Sequence, residues 1–74
     1  MSGFDKGALG RNMRVRRAEM GFTQGDLAER VGVNVATIAQ YENGAYVPVA
    51  DKICAMAEAL LCTPNDLMGF TPAA

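Results

Sequence analysis

The sequence has no histidine, no tryptophan and only two cysteines. Without histidine, the commonest general base and a common metal ligand are both missing. Cys54 and Cys62 alone make a poor metal site, and they do not form the disulfide framework of a small secreted domain. They are expected to be buried free thiols. No nucleophile–base pair stands out, and so short a chain leaves little room for a pocket, so an enzyme is not expected. No cofactor or metal is expected either. No apolar run approaches the roughly 20 residues that span a bilayer. The opening MSGFDKGALG lacks a basic segment followed by a hydrophobic stretch, so neither signal peptide nor membrane contact is expected, and the compartment is read as the cytoplasm.

A basic surplus is also missing. The net charge is −1, whereas nucleic-acid binders usually carry excess positive charge. The distribution tempers this: Arg11, Arg14, Arg16 and Arg17 stand in one stretch, while the acids are spread along the chain. A local basic strip can hold phosphates, although by itself such a run reads equally as a solvated helix face.

What is present is apolar content and punctuation. Half of the 74 residues are hydrophobic, which excludes a disordered tail and is enough for one small domain, residues 1–74. Ala, Leu, Met and Glu are common and favour helix. Five helical segments follow. The first runs from about Lys6 to Met20, with Asp5 as a cap, Leu9, Met13 and Met20 on one face, and Gly21 after it. The second runs from Gln24 to Val31 behind a capping box in Thr23-Gln24-Gly25-Asp26, with Leu27, Ala28 and Val31 inward. Gly32 and Val33 form a turn, Asn34 caps the third segment, and Asn43-Gly44 ends it. Pro48 is expected to start the fourth helix, which runs to about Leu61 with Ile53, Met56, Ala57 and Leu60 inward and Ala50 at the edge of that stripe. Thr63-Pro64-Asn65-Asp66 opens a short fifth helix ending at Gly69, and the tail from Phe70 is expected to fray.

The third segment separates two faces. At about 100° per residue, Thr37, Ile38 and Tyr41 fall on one side, and Val35, Ala36, Ala39, Gln40 and Asn43 fall on the other. The first set is bulky and faces the core. The second is small, amide-bearing and uncharged. Such a surface suits a helix entering a major groove, where an amide can pair with adenine and methyl groups can meet thymine. It suits equally a helix packed on both sides, or a dimer surface of small residues.

The stretch Thr23-Gln24-x-x-Leu27-Ala28-x-x-Val31-Gly32-Val33-Asn34-x-x-Thr37-Ile38-x-x-Tyr41-Glu42-Asn43-Gly44 resembles the phage-repressor and Cro (Xre-type) helix-turn-helix family. With the later segments the likeness covers about residues 7–69, with the helix-turn-helix at 23–43. It implies an all-α, five-helix, lambda-repressor-like DNA-binding domain. It also implies base reading by Asn34, Val35, Ala36 and Gln40, and phosphate contacts from Arg14, Gln24, Thr37 and Asn43. Arg17 and Glu42 correspond to an internal ion pair. Departures are Val35 and Ala36, where many relatives carry Lys, Arg or Gln; the loop Ala45-Tyr46-Val47, which lacks basic residues; and Leu61, where glycine commonly ends the fourth helix, so that end is expected to be reshaped. The function implied is transcriptional regulation, with repression favoured, by a homodimer on a palindromic operator of double-stranded DNA. Leu61, Cys62, Leu67, Met68 and Phe70 are the expected dimer surface. An activating form, such as a restriction-modification controller, would also touch RNA polymerase. The alternative is a protein-interaction module, as in an antitoxin or co-regulator.

Overall fold

The computed structural model describes residues 6–69. Within them the chain forms α1 (Lys6–Glu19), α2 (Gln24–Val31), α3 (Val35–Glu42), α4 (Ala50–Ala59) and α5 (Pro64–Met68), with no strand among the described residues. The expected cap Asp5, the interface candidate Phe70 and the tail lie outside the described residues. No helix is long and apolar enough to cross a membrane among those described.

Two helices start on the same device. Thr23 Oγ1 accepts from the Asp26 N–H at 3.0 Å while the Thr23 N–H donates to Asp26 Oδ2 at 2.9 Å. Thr63 and Asp66 repeat the exchange at 3.1 and 2.9 Å. Each box satisfies helix N–H groups that have no intrahelical partner.

Three helices also share one ending. The Phe22 N–H reaches Arg17 O while Gly21 N–H reaches Ala18 O; Ala45 and Gly44 repeat this on Gln40 and Tyr41, and Cys62 and Leu61 on Ala57 and Glu58. This is the Schellman closure, which needs one left-handed residue. Glycine supplies it at Gly21 (φ 74°) and Gly44 (φ 79°), but at the end of α4 it is Leu61 at φ 56°. The end of α4 is therefore not reshaped: leucine adopts the glycine conformation.

Leu9, Met13, Leu27, Ala28, Val31, Ile38, Ile53, Met56, Ala57, Leu60 and Leu67 form the core, with Met20, Val33 and Tyr41 packed at its edge. α1 meets α3 and α5, α2 meets α3 and α4, and α4 meets α5.

Several expectations need correction. Asn34 stands at the N-cap of α3, but its side chain makes no capping bond. The Thr37 N–H that it would take is already bonded to the Asn34 backbone oxygen at 3.0 Å. Pro48 does not start α4; it is buried two residues ahead of the helix, where Val49 O takes the Lys52 and Ile53 N–H groups. Ala50 lies with Cys54 and Glu58 on the solvent face of α4, so Cys54 is an exposed thiol, not a buried one. Cys62 is half-buried, and loss of hydration pushes its thiol pKa up. Leu67 is fully buried and cannot form a dimer surface: α5 has little more than one turn, and its largest side chain closes the core beside α1 and α4.

Candidate nucleic-acid interface

The inner face of α3 is anchored by Ile38, which is fully buried, with Thr37 and Tyr41 half-buried beside it. Asn34, Val35, Ala36, Gln40 and Asn43 are exposed, and Ala39 is half-buried. The helix has one charged residue, Glu42, which is only 5% exposed and turned inward. The face it presents to solvent therefore carries amides and methyl groups but no charge.

Glu42 is held by three donor groups. Arg17 Nε reaches its Oε2 at 2.7 Å, and Arg17 Nη2 and Gln24 Nε2 reach Oε1 at 3.2 and 2.9 Å. Arg17 Nη1 also donates to Phe22 O at 2.9 Å. A buried carboxylate needs such pairing, because taking a charge out of water costs several kcal/mol. The hydrogen bond to Glu42 in turn raises the guanidinium pKa of Arg17. One cluster thus ties the end of α1, the first residue of α2 and the last residue of α3.

Gly10 completes the attachment. A Cβ there would lie 2.9 Å from Tyr41 O and 2.8 Å from the Glu42 carbonyl carbon, and closer still to that carbonyl's oxygen. Real Cβ atoms do not approach a backbone so closely, so only glycine lets α1 press on the end of α3. Neither this residue nor Asn12 is marked by the sequence pattern. Asn12 Nδ2 donates to Leu67 O at 2.9 Å and Asp66 O at 3.3 Å, fastening α1 to the open carbonyl end of α5.

Gln24 is the first residue of α2, with its amide nitrogen committed to Glu42. Arg11 and Arg14 are exposed on α1, while Arg16 is half-buried. Asn43 Oδ1 accepts from Ala45 N–H at 3.0 Å, so this oxygen shapes the turn after α3. In the following loop Tyr46 and Val47 are exposed, as is Val49 before α4. At the end of α4, Leu61 is 78% exposed, whereas Cys62 and Met68 are half-buried against the core. Asn34, Val35, Ala36 and Gln40 are thus all exposed on or beside α3, whereas of the described residues read as a dimer contact only Leu61 is exposed.

A family model described as a helix-turn-helix domain matches residues 8–68. The chain belongs to this helix-turn-helix family. Repressor protein C2 of Salmonella phage P22 is 32% identical over 60 residues, which are 81% of this chain and 28% of that protein. The chain thus spans little more than a quarter of the length of this curated relative. Among solved structures, the P22 c2 repressor in complex with a synthetic operator aligns with a TM-score of 0.79 at 32% identity, covering 81% of this chain and 91% of that one. The restriction-modification controller protein C.AhdI from Aeromonas hydrophila aligns at 0.81 and 27% identity, covering 85% and 96%. The clp gene regulator ClgR from Corynebacterium glutamicum aligns at 0.80 and 27% identity, covering 84% and 66%. The five-helix fold of this helix-turn-helix protein is that of the phage-repressor DNA-binding domains.

Proposed function

We propose that this helix-turn-helix protein is a sequence-specific double-stranded-DNA-binding transcriptional regulator that represses by occupying an operator. The observation that carries the reading is the uncharged outer face of α3, held rigidly from behind by the Arg17–Glu42–Gln24 cluster and by the contact at Gly10. A rigid helix with small residues outward lets its backbone approach base edges, and Gln40 offers a donor and an acceptor to adenine. Asn34, Val35 and Ala36 complete the reading set. Arg14, and Gln24 at the positive end of α2, suit phosphate contact, with Thr37 and Asn43 at the flanks. The similarity to a repressor solved on operator DNA supports the same reading.

One domain makes few contacts, so a homodimer is part of the proposal. Two copies related by a two-fold axis place their α3 helices in successive major grooves roughly 34 Å apart, on a palindromic site. The contact is centred on Leu61, the most exposed of the large apolar side chains among the described residues, in place of the buried Leu67. A cytoplasmic or nucleoid location and a non-catalytic role accompany this reading. Contact with RNA polymerase belongs to the activating variant.

Selection of bound duplexes from a random oligonucleotide pool tests the proposal. A palindromic consensus is expected, with affinity that falls as salt rises. Gln40→Ala should relax preference at one base pair per half-site at a cost of about 1–3 kcal/mol, and Arg14→Ala should weaken all sequences alike. The second reading, a protein-interaction module, is favoured by the exposed Val35, Tyr46, Val47 and Val49. It predicts no selected sequence and no salt-dependent DNA binding.

A further inference from the structure

We infer that Val35 reads the C5 methyl group of a pyrimidine in the major groove, so that the protein accepts thymine or 5-methylcytosine at one position of each half-site and discriminates against uracil and cytosine. This rests on the DNA-binding reading and names what its reading face recognises. Val35 is the first residue of α3 and is 51% exposed, and it is not among the side chains packed on the core. Valine is a poor helix former, so neither packing nor helix propensity accounts for it there.

Its neighbours sharpen the point. Ala36 is exposed and carries only a methyl group, and the first turn of α3 has no acidic residue. In a docked helix-turn-helix the N-terminal residues of the second helix meet base edges. Valine has no donor or acceptor. Laid against guanine O6 and N7 or cytosine N4, it would strip water from polar atoms and return no hydrogen bond, which is unfavourable. Laid against a C5 methyl, it gains apolar burial and leaves no polar atom unpaired. In the major groove thymine differs from uracil, and 5-methylcytosine from cytosine, by the same methyl at the same ring position. A side chain that senses only this group does not distinguish the two methylated bases. Cytosine methylation at that position thus becomes a signal the protein can sense.

The test uses the full chain and the duplex recovered by selection. Each thymine is replaced in turn by uracil. At the responsive position, the T·A pair is then replaced by C·G with and without a 5-methyl group on the cytosine. For the unmutated protein, thymine to uracil should weaken binding about fourfold at one position per half-site, the factor that burial of one methyl gives. Methylating the cytosine should recover a similar factor. Val35→Ala keeps α3 intact, because the side chain is exposed and alanine is the better helix former; it should bring the thymine-to-uracil ratio close to one. Gln40→Ala should leave that ratio unchanged. Uniform indifference to uracil, or a ratio that persists in Val35→Ala, overturns the inference while DNA binding stands. Failure to select any sequence overturns the DNA-binding reading itself.

Discussion

Gly10 and Gly25 both lie inside helices, and the same substitution should act on them with opposite sign. Alanine in place of glycine gains up to about 1 kcal/mol of helix propensity wherever the new methyl is free. At Gly25 it is free: a Cβ would meet only Thr23 Oγ1, at 3.7 Å. Gly25→Ala should stabilise the domain by about 0.5 kcal/mol, chiefly by restricting the unfolded chain. At Gly10 the methyl would be driven into the Tyr41 and Glu42 carbonyl groups, with contacts of 2.9 Å and less. These are backbone atoms of a helix end already fixed by Arg17 and Gln24, so they cannot swing aside. Overpacking of this severity costs about 3 kcal/mol, and subtracting the propensity gain leaves a net loss of about 2 kcal/mol. A domain of this size has about 4–11 kcal/mol in total. In urea, with a slope near 1 kcal/mol per molar, the Gly10→Ala midpoint should fall by about 2 M, and that of Gly25→Ala should rise slightly. Because α1 must back away from α3, Gly10→Ala should also weaken operator binding beyond its effect on folding. A Gly10→Ala midpoint at or above that of the unmutated protein would refute the close packing of α1 on the end of α3.

Leu61→Gly should relieve the left-handed strain at the end of α4, raising stability by about 1 kcal/mol and Tm by about 4–8 °C at low protein concentration. The same change should weaken self-association in sedimentation, since it deletes the exposed apolar side chain; a lowered Tm would show that the conformation costs less than its geometry implies. Arg17→Met should destabilise by about 3–5 kcal/mol by leaving Glu42 buried without its cation, and adding Glu42→Leu should recover most of the loss in urea titrations. Backbone N–H bonds from Thr23 and Thr63 hold the Asp26 and Asp66 carboxyls below their ordinary value of 3.8. Their contribution is therefore complete above that value and is lost as pH falls through the lower folded values. The urea midpoint of Asp26→Asn/Asp66→Asn should accordingly converge on that of the unmutated protein in strong acid, and a constant difference down to pH 2 would contradict this linkage, within the general acid response.

What the sequence made legible was what is decided locally. The Thr23–Asp26 and Thr63–Asp66 boxes span three residues, and the spacing of Leu27, Ala28 and Val31 marks a face within one helix, so both could be read without tertiary knowledge. The faces of α3 were legible for the same reason. Local reading failed where distant segments decide. Asn12 bonds to Leu67 across 55 positions of sequence. Gly10 is meaningful only because the end of α3 happens to lie against it. Leu67 looked surplus when only the apolar residues near the fifth helix were weighed, yet α1 and α4 leave a space that it fills. Pro48 fits the first turn of a helix by its own geometry, but a start at Ala50 leaves it buried in the connection instead. Leu61 shows a different limit: its position was recognisable as a helix end, but the choice between reshaping the backbone and tolerating strain depends on the bonds from Leu61 and Cys62 to Glu58 and Ala57.

Backbone amide shifts of the labelled protein, recorded during titration with its selected duplex, test most directly whether α3 is the reading element. The account predicts that the largest changes fall on Gln24, Asn34, Val35, Ala36 and Gln40, with those of α4 small except near Leu61. Large changes confined to α4 and α5, with Val35, Ala36 and Gln40 unmoved at saturating duplex, would contradict it.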